Sequence, residues 1–279
     1  MRQMNLGVCV KYIQSYIVMR FVRLFTIAIG CCLLYSAAEG AYHPEVNIAP
    51  EQKAEVRKGV SALKALGRKY RQAVIAEKLG LLFMPSGEAA YSSTAKTSVT
   101  EKVRFYPPAT GCHYISTDGK EYDLRTIIDE KDRDPKKRQA WIQAKQSIYT
   151  AGDAAVFAEL KKEVTDMALV LARRHYMRMP AKARYAFRAM LEENVAGAEP
   201  VRVKQQVDGM DVNMTVMEYP GAAKFSGKDG HEYAWAEIMD ELKDKKLDRG
   251  WKQMLWCCEL IGKKDILAMM AEQEKASKK

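Results

Sequence analysis

The chain has 279 residues, 48% of them apolar and 29% charged, and its 45 basic and 35 acidic side chains give a net charge of +10 at neutral pH. That apolar content is ordinary for a globular protein and allows a genuine core. The basic excess favours anionic surfaces but is too diffuse to mark a specific nucleic-acid binder.

The first element in chain order is an address. "LFTIAIGCCLLYSAAEGAYH" (Leu24 to His43) carries an apolar run of about a dozen residues, short of the ~20 that a bilayer core demands of a helix. Arg20 and Arg23 precede the run, and Ser36, Ala37, Ala38, Gly40 and Ala41 follow it, as in a cleaved signal peptide. Residues 1–40 are therefore expected to be an export leader, well proportioned if translation starts at Met19, and no permanent transmembrane helix is expected. Lipidation at Cys31 is the weaker reading, because it cuts the apolar run to about seven residues and leaves Cys32 to Ala38 without a role. Without the leader's four basic residues and one acidic residue the net charge falls to +7.

The rest of the chain reads as one unit written twice. "DGKEYDLRTIIDE" (Asp118 to Glu130) and "DGHEYAWAEIMDE" (Asp229 to Glu241) share seven of thirteen positions. Trp141, Gln143 and Gly152 then align with Trp251, Gln253 and Gly262, and "VRFYP" from Val103 aligns with "VMEYP" from Val216. Further upstream "EVRKGVSALKALGRKY" from Glu55 resembles "ELKKEVTDMALVLARRHY" from Glu159, so the order of the matches never scrambles. The expectation is a tandem duplication of a unit of about 110 residues. The first copy spans 48–157 and the second 158–272, and 273–279 form a basic, disordered tail.

Each copy is expected to open with a helical hairpin. In the first, helix runs from Glu51 to about Tyr70, followed by a second segment ending before Pro85. In the second, Val156, Leu160, Val164, Met167 and Leu171 recur at helical spacing, and Pro180 breaks the helix and opens the next, to about Asn194. A small antiparallel sheet follows. "VRVKQQVDGMDVNMTVMEY" alternates apolar and polar across Asp208-Gly209, and "SSTAKTSVTEKVRFY" is its looser counterpart. A short strand then leads to the repeated Asp-Gly turn, whose Glu-Tyr exits into a helix, and a Trp-bearing helix closes the unit. The fold class is α+β, helix-dominated.

Residues common to both copies read as scaffold: Asp118-Gly119 and Asp229-Gly230 as turns, Tyr122 and Tyr233 as core anchors, Trp141 and Trp251 as helix packing. The acidic pairs Asp129-Glu130 and Asp240-Glu241 read as solvated helix positions rather than acid/base groups. Trp235 and Trp256, where the first copy has Leu124 and Gln146, read as core variation. Cys9, Cys31 and Cys32 lie in the leader, which leaves Cys112, Cys257 and Cys258 in an oxidising compartment. Cys258 falls on an apolar stripe with Met254 and Ile261; Cys257, at its flank, is the better partner for a disulfide with Cys112. The cysteine spacing matches no zinc pattern. His231 stands opposite Lys120 and His175 opposite Lys69, and His43 and His113 have no imidazole counterpart, so no metal and no cofactor is expected.

One polar stretch points to a ligand. "RRHYMRMPAKARYAFR" interleaves Arg173, Arg174, Arg178, Lys182, Arg184 and Arg188 with Tyr176, Tyr185 and Phe187, a combination suited to phosphate or sulfate groups. The sequence thus predicts an exported envelope or secreted bacterial protein, periplasmic or extracellular, acting as a non-catalytic binding or scaffold component for an anionic polymer or envelope surface. The alternatives are a secreted hydrolase with a cleft between the halves, and a thiol redox protein using Cys257 and Cys258.

Overall fold

The computed structural model describes residues 49–276 except 84–88, 91–93, 97–101, 105–110 and 208–209. The expected leader, Cys31 and His43 lie outside the described residues. In chain order the elements are α1 (Pro50–Ala65), α2 (Arg68–Leu79), β1 (Leu82–Phe83), β2 (Ala89–Ala90), β3 (Thr94–Lys96), β4 (Lys102–Arg104), β5 (His113–Ile115), β6 (Glu121–Asp123), α3 (Leu124–Asp132), α4 (Pro135–Ala151) and α5 (Asp153–Glu159). They continue with α6 (Lys161–Arg178), α7 (Ala181–Leu191), β7 (Glu199–Val207), β8 (Met210–Glu218), β9 (Lys224–Ser226), β10 (Glu232–Ala234), α8 (Trp235–Glu241), α9 (Lys245–Ile261) and α10 (Lys263–Ala276). The fold is α+β and helix-dominated. Its described strands form one four-stranded sheet, in the order β2-β1-β5-β6, and the two-stranded ribbons β3-β4, β7-β8 and β9-β10, all antiparallel.

By packing, the described residues from 49 to 179 form one compact body with those from Asp244 onward, and Pro180–Lys243 form a second, smaller body. In the larger body α1 lies along α4 and α6 along α9, while α5 packs on α1 and α4 and α10 on α6 and α9. Its core holds Leu63, Ile75, Leu82, Tyr114, Ile127, Ile148, Met167 and Leu171. The smaller body packs α7 against β9 and α8. Trp235 is fully buried there, stacked on Tyr219 with centroids 4.5 Å apart and edge-on to Phe225 at 6.0 Å. Packing thus divides the chain differently from the sequence match, since α6, α9 and α10 belong to the larger body.

Several expected boundaries shift for local reasons. The first helix does not run through to Tyr70. It ends at Ala65, and Gly67, at φ +77°, turns the chain into α2 in a conformation that glycine adopts without steric cost. The apolar stripe from Val156 to Leu171 is likewise two helices, α5 and α6, meeting at Leu160 (φ −103°, ψ 15°). Pro180 caps α7 rather than opening it, and α7 ends at Leu191. The last helix extends through Ala276, beyond the point where the tail was expected to begin; Glu274 accepts a hydrogen bond from the Tyr176 hydroxyl at 2.8 Å, which ties that turn to α6. The β7-β8 ribbon pairs Val207 with Met210, in the register expected from its alternation, and leaves Asp208 and Gly209, outside the described residues, between the strands.

The two Asp-Gly motifs fold into closely matched turns. Asp118 Oδ1 accepts from the Lys120 N–H at 3.1 Å and Oδ2 from the Tyr122 hydroxyl at 3.0 Å. Asp229 does the same with the His231 N–H at 3.1 Å and the Tyr233 hydroxyl at 2.6 Å. Gly119 and Gly230 sit at φ +77° and +80°, where a side chain would be strained. The tyrosines are half-buried rather than core residues. Tyr122 stacks on Tyr114 and Tyr233 on Phe225, each at 5.6 Å.

Candidate anion-binding groove

The six basic side chains singled out in the sequence divide between the two bodies. Arg173, Arg174 and Arg178 belong to α6 of the larger body; Lys182, Arg184 and Arg188 belong to α7 of the smaller one. Of the interleaved aromatics, Tyr176 and Phe187 are buried, so they serve the cores rather than offering stacking platforms, and Tyr185 is half-buried.

On α7 Lys182 and Arg188 meet local carboxylates. Lys182 bridges Glu237 at 3.0 Å and Glu241 at 3.1 Å, and these hydrogen bonds hold its ammonium above the usual lysine range. Arg188 pairs with Glu192 at 2.7 Å.

On α6 the arrangement is more open. Val170, Arg173, Arg174 and Met177 follow the three-and-four spacing that places them on one helix face. That face, Ile115 and Glu121 on either side of the β5-β6 turn, and Gln273 of α10 line an open groove of about 380 Å³. Arg174 donates to Glu121 at 2.6 Å, and its guanidinium lies over the Phe83 ring at 5.9 Å. Arg173 donates to Glu272 at 3.3 Å. The Arg173, Arg174, Glu121 and Glu272 side chains are 45%, 28%, 41% and 69% exposed, so water screens both pairs. Ion pairs of this kind contribute ~0–1 kcal/mol each, and a more highly charged oxyanion can replace either carboxylate at little cost. Met177, 49% exposed, gives the groove an apolar edge.

The sequence reading found Arg173 and Arg174 but missed Glu121, Glu272, Gln273 and Met177. Glu121 falls within the repeated turn motif, and Glu272 is the last residue of the expected second copy, beside the tail. Nothing local signals a partner 53 or 99 residues away in the chain.

The remaining candidates serve the scaffold. Asp129 pairs with Arg125 at 3.0 Å and Asp240 with Lys243 at 2.5 Å. Glu130 accepts from Lys69 at 2.6 Å and from the Tyr70 hydroxyl at 3.1 Å; the lysine contact leads in holding this carboxyl below its usual range, the wrong direction for a proton donor at neutral pH. Cys112, Cys257 and Cys258 are buried thiols, and no disulfide joins Cys112 to Cys257. Burial pushes both of those thiols above the ordinary range, which suppresses the reactive thiolate. Trp235 is core, and Trp256 is half-buried on α9. Among the described residues no group of three or more His, Cys, Asp or Glu is placed to hold a metal ion, and no helix is long and apolar enough to cross a membrane. Comparison with family models, curated proteins and solved structures finds no match.

Proposed function

We propose that the chain is an exported binding or scaffold component without catalytic activity of its own, which holds an anionic polymer or envelope surface through its α6 and α7 basic residues. We further propose that it arose by head-to-tail duplication of a unit of about 110 residues. The observation that carries the functional reading is the pair Arg173 and Arg174, whose exposed, exchangeable carboxylate partners leave both guanidiniums available to a stronger anion. The leader-like composition of residues 1–40 supports export. Buried thiols and ion-paired acidic residues weigh against the redox and hydrolase alternatives.

The duplication draws support from the order α2, β5, β6, α3, α4, which recurs as α7, β9, β10, α8, α9. The helices α4 and α9 are both 17 residues long and both capped by an aspartate. In this pairing Lys69 and Lys182 both hold the second position of their helices. Both reach the second carboxylate of the repeated acidic pair, and both lie over the turn tyrosine, at 5.3 and 5.6 Å. On this reading Lys69 corresponds to Lys182 rather than to His175, because Gly67 separates α1 from α2.

Association with dextran sulfate tests the functional reading. Binding is expected to be saturable, to weaken steeply with salt, and to be lost when Arg174, Arg178, Arg184 and Arg188 are changed to Gln. Unchanged binding by that variant overturns the reading.

A further inference from the structure

Resting on the anion-binding reading above, we infer that the α6 groove is a discrete subsite for one terminal phosphate or sulfate ester on a compact, partly apolar body, rather than a track along a polymer. Three observations carry this. The groove is open to solvent, and its volume of about 380 Å³ is on the scale of a site for a single small molecule, ~300–1,000 Å³. Its cationic residues are sequence neighbours at one place, and Arg174 is positioned by the Phe83 ring and by Glu121. Val170, Met177 and Ile115 add apolar surface beside them, and Gln273 adds an amide that can donate to an ester oxygen.

Binding on these terms is an exchange. The incoming oxyanion takes the guanidinium hydrogen bonds from Glu121 and Glu272, which return to water, while the apolar body of the ester covers Met177 and Val170. The carboxylates are then competitors for the arginines, and removing one should tighten binding. A variant that merely misfolds cannot reproduce that gain.

Calorimetry with phenyl phosphate, and with inorganic phosphate as the probe lacking an apolar body, tests the inference on the full chain. Phenyl phosphate is expected to bind more tightly than inorganic phosphate. Affinity for it should fall about tenfold in Arg174→Gln, with the loss of a charge-assisted contact, and rise about threefold in Glu121→Gln. Met177→Glu, which places a carboxylate at the apolar edge, should also weaken it. Vesicles of phosphatidic acid in phosphatidylcholine separate the sources: vesicle binding competed by phenyl phosphate assigns the ester to a lipid headgroup, and binding of the free ester alone assigns it to a soluble or polymer end. Dextran sulfate binding with no phenyl phosphate binding, or with Glu121→Gln no tighter than wild type, overturns the groove while sparing the basic residues as a polymer contact. Binding of neither probe overturns both.

Discussion

At the scale of single residues, His175 shows how the neighbourhood of α6 sets a titration. Its imidazole meets the Phe83 ring edge-on at 6.1 Å, and its shielded Nε2 has no hydrogen-bond partner among the described residues. Burial first, then the positive charges of Arg174, Arg178 and Arg249, lower its pKa from 6.5 to about 4. The unfolded chain then binds a proton that the folded chain refuses between those values. Stability from this group is whole above pH 6.5 and is lost as pH falls towards about 4, by up to about 3 kcal/mol. Urea titrations should therefore show His175→Phe flattening the decline of stability between pH 6.5 and 4; an unchanged decline would mean that other groups cause it. A second residue test concerns Gly227, where an added Cβ would press first on Asp229 Oδ1 and would lie 2.8 Å from Tyr233 Cε2 and 2.9 Å from Tyr185 Cδ2. At the matching turn position the larger body has Ser116, which donates to Gln72 of α2. Gly227→Ser should cost ~1–3 kcal/mol by overpacking. Combined with Tyr185→Gln it should cost less than the two single changes summed, as measured by thermal unfolding; strict additivity would show that Tyr185 is not what crowds the site.

At the scale of elements, the long helices α4 and α9 owe their starts to Asp134 and Asp244. Asp134 accepts from the N–H groups of Lys136 and Lys137, and Asp244 from those of Lys246 and Leu247. Each Asp→Ala change should lower stability by about 1 kcal/mol, read as a shift in the denaturation midpoint, because two terminal donors lose their acceptor. A change within error would assign the helix starts to packing of Trp141 and Trp251 instead. Elements with a strong local code were legible in the sequence: the β7-β8 ribbon from its alternation, the Asp-Gly turns from their glycines, the break near Pro180 from its ring. The breaks at Gly67 and Leu160 were not. The run of good helix formers around Gly67 masks its break, and Leu160 carries no breaker signal. The groove divides likewise. Its arginines announced themselves as a basic run, while their partners come from a strand and a helix far away in the chain.

At the scale of the whole molecule, the described residues contain two sets of elements in one order, with matched turn hydrogen bonds, matched aromatic stacks and a lysine reaching the same carboxylate in each. These are the correspondences that the proposed duplication predicts, since copying one unit would yield them together. The larger body buries Ile115 to 4% exposure at a position where the smaller body's motif has the exposed Ser226, so each motif matches its own neighbours. The most direct test is a crystal structure in which residues 68–132 are superposed on residues 181–241. The account predicts that Lys69, Asp118, Gly119, Tyr122 and Glu130 fall on Lys182, Asp229, Gly230, Tyr233 and Glu241 with the connecting elements in register; a best superposition that separates these five pairs would contradict it.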